Sequence, residues 1–288
     1  MSNNNVVVKH VWKDNFDVEM SIIRERAMIA HPFVSLTTRL MLCGERIPTG
    51  NGWGDSDTNY SGLQQATNRF RNIAQVGVAL CDKLGRLPRC SESGRPCVWE
   101  FNLMPLEEAA INPEREDRFL EQFCGNVNAE QLRRQGIQPA RMAAEIWRCS
   151  LLMKDKINWV VFKGGLDFAA LLRWEKHGAQ GLPVERKEFF RLLAIYFPVF
   201  YDMAAVMGFH PVADDGTIDV SARAINVWRE DVPPHGAASD SLLALQMFVR
   251  MKMLKRGCVL LEKKARVLFG ITSEQEANAV PTFNMAPF

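Results

Sequence analysis

Residues 158–172 read NWVVFKGGLDFAALL, and this stretch gives the strongest indication of the fold class. Residues 158–162 are apolar or aromatic after Asn158, which is typical of a short buried strand. The pair Gly164-Gly165 ends that strand, and an apolar helix follows that begins near Asp167. A buried strand that leads directly into a helix favours an α/β protein with a central sheet.

Earlier in the chain the pattern changes from helix to hairpins. A helix is predicted over Asp14–Ala30, where apolar residues recur at helical spacing. Three strands are predicted next, and they lie within hairpin reach of one another, so this part of the sheet should be antiparallel. The three are Phe33–Leu40, Asn72–Cys81 and Cys97–Leu103. The Gly-rich stretch 44–62 is predicted to be a loop.

Helices are predicted to dominate after residue 113. One of them has Asn128 as its N-cap and Gln131 three residues later, the spacing of a capping box. The nearly apolar stretch Leu192–Phe209 contains Pro198 and Asp202, which argue against a membrane span; we interpret it as a buried helix, a break at Pro198 and a short buried strand. The predicted helices are 114–124, 128–135, 140–153, one from 167, 184–196, 217–228, 239–254 and 257–268.

Composition excludes several classes of protein. The chain has 288 residues, 47% hydrophobic and 24% charged, which excludes disordered and collagen-like chains. Its net charge is 35 − 33 = +2, so nucleic-acid binding would require a local basic patch. The seven cysteines form no C-x-x-C pair and the five histidines do not cluster, which disfavours a zinc site and fits a reducing compartment. We therefore expect a soluble protein.

Two stretches resemble ligand-binding loops but lack residues that such loops require. Gly50-x-Gly52-x-Gly54 lacks the spacing and the strand-to-helix turn of a phosphate loop. The stretch that begins at Asp55 starts like a calcium loop but has Tyr60 where Gly is needed and Ala66 where Glu is needed. Basic residues gather over 250–266, and we interpret them as a solvated helix face, with phosphate binding as the alternative.

Five segments in order together resemble the Caf/Pop family of poly(A)-shortening nucleases, which belong to the DEDD class. The segments are HVWKDNFDVEMSIIRE (10–25), FNLMPLEE (101–108), WVVFKGGLDFAALL (159–172), YFPVFYDMAAVMG (196–208) and VPPHGAASDSLL (232–243). The resemblance implies an α/β, ribonuclease-H-like fold with a mixed central sheet flanked by helices and a cleft at one edge. It also implies an N-terminal extension over 1–10, one domain over 11–270 and a C-terminal tail over 271–288.

The resemblance places some family site residues and shows others replaced. Enzymes of this class use two divalent ions for phosphodiester hydrolysis, and those ions need oxygen ligands. By similarity to the family, Asp167, His235 and Asp240 are remnants of the catalytic set. Strand one of the family carries Asp-Thr-Glu, but this chain has Thr37-Thr38-Arg39, so Thr37 and Arg39 replace both carboxylates.

The charges of these residues argue against metal binding. Four carboxylates carry about −4, which balances two divalent ions; here Asp167 and Asp240 give −2, and Arg39 brings the sum to −1. Two unit charges about 4 Å apart interact by roughly 4 kcal/mol at an intermediate dielectric constant, which disfavours a cation beside Arg39. We expect no metal and no other cofactor, with Asp167 and Asp240 as the ligands if any ion binds, and we hypothesise that Arg39 pairs with Asp240 or Asp167.

Each of these residues also has an ordinary structural explanation. Asp167 fits a helix N-terminus, and Asp240 fits the first turn of the following helix. His235 fits a loop, and Arg39 fits a position in solvent or on an RNA phosphate. Glu45 or Asp55, in the adjacent loop, could supply a replacement carboxylate.

Three functions remain open from the sequence. The first is a catalytically inactive family member that serves as an interaction module of a Ccr-Not-type deadenylation complex, with a Not-type scaffold and a Ccr-type nuclease as partners by resemblance. The second is an active, Mg²⁺-dependent 3′–5′ poly(A) exoribonuclease. The third is an RNA-holding module that binds phosphates through Arg39, Lys163 and the basic residues over 250–266. No membrane or small-molecule substrate is expected, and the expected location is the cytoplasm, with the nucleus as an alternative.

Overall fold

The computed structural model describes residues 6–42, 55–105, 113–125, 127–152, 156–175, 181–208, 217–229 and 236–272. They form a six-stranded mixed sheet in the order β1-β4-β3-β2-β5-β6. The strands are β1 (Val7–Val11), β2 (Phe33–Leu42), β3 (Phe70–Cys81), β4 (Cys97–Asn102), β5 (Asn158–Val161) and β6 (Phe200–Asp202). The mixed α/β architecture predicted from the sequence is confirmed.

The pairing of the strands follows from the lengths of their connections. Strands β2, β3 and β4 follow one another closely and pair antiparallel, as predicted. The other three strands are reached through longer crossovers and pair parallel, β1 with β4, β5 with β2, and β6 with β5. The register of β2 against β3 shifts directly after Arg39, where the ladder is irregular.

Helices cover both faces of the sheet. Alternate residues of each strand point to opposite faces, so Val34 and Leu36 join one apolar core while Phe33 joins the other. The first core packs against α1, α5, α6 and α7, and the second against α8 to α11. The helices are α1 (Phe16–Ile29), α2 (Ser56–Arg69), α3 (Pro113–Phe123), α4 (Ala129–Gln135), α5 (Pro139–Leu152), α6 (Gly165–Glu175), α7 (Arg186–Tyr196), α8 (Met203–Met207), α9 (Ile218–Ala224), α10 (Ala237–Lys252) and α11 (Lys255–Lys264).

The apolar stretch 192–209 contains the end of a helix, a break at Pro198 and a short buried strand, as predicted. Helix α7 ends at Tyr196, and β6 and α8 follow after Pro198. The buried carboxylate of Asp202 accepts hydrogen bonds from four backbone N–H groups, which compensates for its removal from water. No helix among the described residues has the length and apolar character to cross a membrane.

Two predictions about the chain's organisation are corrected. The predicted loop over 44–62 gives way to α2 from Ser56 onward, while residues 43–54 lie outside the described part. Residues 7–10, assigned to an N-terminal extension, belong to β1 and pair with β4 in the sheet. Of the predicted tail, residues 273–288 lie outside the described residues, and Ile271 is buried in the first core.

Candidate functional site

Strand β2 carries Thr37 and Arg39 on one face of the sheet and Thr38 on the other, because side chains alternate along a strand. Helix α10 begins over the face of Thr37. Thr37 pairs with Gly77 of β3, and a Cβ atom on Gly77 would lie 2.1 Å from the carbonyl oxygen of Ala237, the first residue of α10. The missing side chain of Gly77 therefore lets α10 approach the sheet beside the two substituted positions.

Arg39 forms an ion pair with Asp240, the first of the two partners hypothesised from the sequence. An Nη2 hydrogen of Arg39 is donated to Oδ2 of Asp240 over 2.7 Å, and the two side chains are 18% and 15% exposed. Asp240 lies in the first turn of α10, as its ordinary structural explanation predicted. Arg39 is therefore directed into the site and not into solvent.

A second guanidinium, which the sequence did not reveal, binds the other oxygen of Asp240. Arg229 donates from Nη2 to Oδ1 of Asp240 over 2.8 Å, and it holds Asp219 through two hydrogen bonds of 2.8 Å each. With Arg39, these groups form a network of two guanidiniums and two carboxylates with zero net charge. The carboxylate of Asp240 thus has a cationic partner on each oxygen.

Asp167 approaches β2 from the opposite face of the sheet. Its Oδ1 atom accepts hydrogen bonds from the backbone N–H and the hydroxyl of Thr38, both at 2.6 Å. Burial raises the pKa of Asp167 to about 7, although these hydrogen bonds from Thr38 favour the charged form. At neutral pH this carboxyl group therefore contributes less than a full negative charge to the site.

A buried carboxylate on β4 caps the start of α10. Glu100 accepts a hydrogen bond from the backbone N–H of Ala238 over 3.3 Å, and Gln75 accepts one from Ala237 over 3.4 Å. His10 on β1 lies 3.2 Å from Glu100, and this hydrogen bond raises the pKa of His10. This group leaves no signal in the sequence, because it forms only when β1 and β3 flank β4.

The remaining predicted residues do not join this network among the residues that the structure describes. Lys163 has a positive φ of 52°, and its Nζ atom lies 5.3 Å from the ring centroid of Phe269. RNA binding by Lys163 and Arg39 stays a prediction. Asp55 accepts a hydrogen bond from the backbone N–H of Thr58, at the start of α2. His235 and Glu45 lie outside the described residues.

The carboxylates of the described residues do not fit a pair of divalent cations. Such ions require several free carboxylate oxygens, but both oxygens of Asp240 bind guanidiniums and Oδ1 of Asp167 binds Thr38. In the described part of the chain, no three His, Cys, Asp or Glu side chains lie close enough to hold a metal ion. The arrangement is that of an ion-pair network in which Arg39 and Arg229 occupy the carboxylate of Asp240.

Comparisons with known proteins cover nearly the whole chain. It is 28% identical over 279 residues to the probable CCR4-associated factor 1 homolog 7 of Arabidopsis thaliana, covering 95% of this chain and 96% of that protein. It is 27% identical over 260 residues to CCR4-NOT transcription complex subunit 7 of Caenorhabditis elegans, covering 86% and 76%. A search against family models gave no match.

Two solved structures share the fold. Pop2p of S. pombe, in a Mg²⁺- and Mn²⁺-bound form, has a TM-score of 0.75 and 27% identity, with 91% of this chain and 99% of that chain covered. Yeast CAF1, co-crystallised with the NOT1 MIF4G domain, has a TM-score of 0.66 and 21% identity, with 88% and 91% covered. The predicted ribonuclease-H-like fold and the predicted family are thus confirmed.

Proposed function

Because its homologues are CCR4-associated factor and Pop2 deadenylases, this chain is a member of that family, and we propose that it is a catalytically inactive subunit of a CCR4-NOT-type complex. The observation that carries the proposal is the pair of guanidiniums on Asp240. In this proposal the fold is retained as a binding module, and the site contributes to its stability.

The electrostatics of β2 support the loss of hydrolysis. A two-metal nuclease needs carboxylates that attract cations, whereas here Thr37 offers a hydroxyl and Arg39 a permanent cation. Binding a divalent ion at Asp240 would require displacing Arg39 and Arg229, which would leave two partly buried cations beside the incoming ion. Neither residue can lose its charge by deprotonation at physiological pH.

The proposed partners are a Not-type scaffold and a Ccr-type nuclease. Yeast CAF1 binds the NOT1 MIF4G domain, and the shared fold supports an equivalent contact in this chain. The well-packed cores on both faces of the sheet support a folded docking domain. Calorimetric titration with a purified MIF4G domain tests this part of the proposal. Absence of binding at about 100 μM of that domain, which is 100-fold above a Kd of about 1 μM, would contradict it.

A nuclease assay tests the catalytic part. Purified protein should leave a fluorescent oligo(A) substrate intact with Mg²⁺ or Mn²⁺, while an active Pop2 protein degrades it under the same conditions. Degradation that is abolished by Asp167→Ala would support the active exoribonuclease instead. Binding of the oligonucleotide without cleavage, weakened by Arg39→Ala, would support the RNA-holding module.

A further inference from the structure

A second surface of the chain has no role in the proposal above. A groove of about 1490 Å³ runs between the turn after β3 and the C-terminal half of α10. At this turn, Gly85 has a φ of +78° and lies against Val249, and a Cβ atom there would come within 2.5 Å of the valine side chain. Arg229 lines the groove as well as binding Asp240, so the groove adjoins the ion-pair network.

Arginine dominates the charge of this groove. Besides Arg229, the described residues that line it include Arg26, Arg86, Arg89 and Arg250, and the carboxylate among them is Asp82. Three of the four arginines have neutral backbone carbonyls as their hydrogen-bond partners. These bonds join Arg26 to Arg89, Arg89 to Gly94 and Arg250 to Ile225. Carbonyl partners hold a guanidinium in place without neutralising it, so among the described lining residues these four arginines and Asp82 sum to 4 − 1 = +3.

An exposed aromatic ring lies in the same groove. The side chain of Trp228 is 65% exposed, and the guanidinium of Arg223 lies 5.9 Å from its ring centroid. The indole is therefore accessible to a partner at the surface. A flat ring that shares a groove with several cations is suited to hold a stacked base while phosphates bind the cations.

We propose that this groove binds single-stranded RNA, with phosphates on Arg86 and Arg89 and a base stacked on Trp228. Arginine matches phosphate through its planar fork of donors, and stacking tolerates any base, so the groove should bind without strong sequence preference. An acidic peptide would satisfy the positive charge but would leave the indole unused. Binding here requires no metal and no carboxylate, so it is independent of whether the chain hydrolyses RNA.

Fluorescence anisotropy with a labelled 15-nucleotide RNA of mixed sequence, in EDTA, tests the proposal. Trp228→Ala should weaken binding about tenfold or more, whereas Trp228→Phe should preserve most of it. Arg86→Ala should weaken binding and should reduce the slope of log K against log salt by about 0.7, the value for one phosphate contact on a single strand. Arg191→Ala is the matched control, since Arg191 is an exposed arginine on α7 outside the groove.

The outcomes separate this proposal from the others. Equal losses from Arg86→Ala and Arg191→Ala would overturn it, because they would indicate attraction to the whole surface. Tighter binding of a labelled oligoglutamate than of the RNA would also overturn it and would indicate an acidic protein partner. Inactivity in the oligo(A) assay together with wild-type RNA binding by the Trp228 and Arg86 variants would refute RNA binding in the groove. The proposed function would remain intact.

Discussion

The substitution Asp240→Asn should destabilise the folded chain, and the sign of this effect distinguishes an ion-pair network from a metal site. Asp240 accepts charge-assisted hydrogen bonds from Arg39 and Arg229 at 2.7 and 2.8 Å. Each such bond contributes about 1.5–3 kcal/mol. Because Asn keeps one acceptor oxygen and the site is partly exposed, we expect a net loss of about 2–3 kcal/mol of unfolding free energy.

Urea unfolding in EDTA measures this loss. A cluster of carboxylates without its metal repels itself, so neutralising one member would raise the stability of a metal-free nuclease. The control is Asp17→Asn, at an exposed aspartate paired with Arg141, where we expect a change within about 0.5 kcal/mol. An unchanged or increased stability of Asp240→Asn would show that Asp240 is not held in a stabilising ion-pair network.

Three further predictions concern groups around the site. Burial raises the pKa of Asp167 from 3.8 to about 7, so its contribution to stability is present below the unfolded pKa and is lost as pH rises through about 7. The unfolding free energy of the wild type should therefore fall relative to that of Asp167→Asn as pH rises from 3.8 to about 7. An NMR titration of His10 should give a pKa above 6.5 that falls toward 6.5 in Glu100→Gln. Gly77→Ala should cost about 1–3 kcal/mol by overpacking against the backbone of α10, whereas Gly62→Ala, in open space on α2, should be neutral or stabilising by up to about 1 kcal/mol.

The strands were predictable because their burial produces a local signal. Strand β5 is apolar after Asn158 and the glycines that follow it end the pattern, so its position could be read from fifteen residues. Helix α2 gave no such signal, because its sequence SDTNYSGLQQATNR is polar and contains Gly62. It is held instead by tertiary contacts: Tyr60 and Leu63 are buried in the first core, and Gln64 donates to the carbonyl of Pro183.

The site was predictable only in part. The ion pair of Arg39 with Asp240 follows from the substituted family pattern, because a cation that replaces a carboxylate is placed against the carboxylates that remain. The second partner, Arg229, lies eleven residues before Asp240 on the far side of residues 230–235, and no local pattern indicates that its side chain returns to α10. The cap by Glu100 likewise depends on the order of β1, β4 and β3 in the sheet.

A calorimetric titration with Mn²⁺ measures whether the substituted site still binds a divalent ion. The wild-type chain should give no binding heat at millimolar Mn²⁺, whereas Thr37→Asp combined with Arg39→Glu should bind the ion, because it frees Oδ2 of Asp240 and adds two carboxylates on the same face of β2. The control, Thr37→Asn with Arg39→Gln, removes the cation without adding charge and should stay silent. Saturable binding of Mn²⁺ by the wild type, abolished by Asp240→Asn, would show that the site still holds a metal ion and that the proposed loss of hydrolysis is wrong.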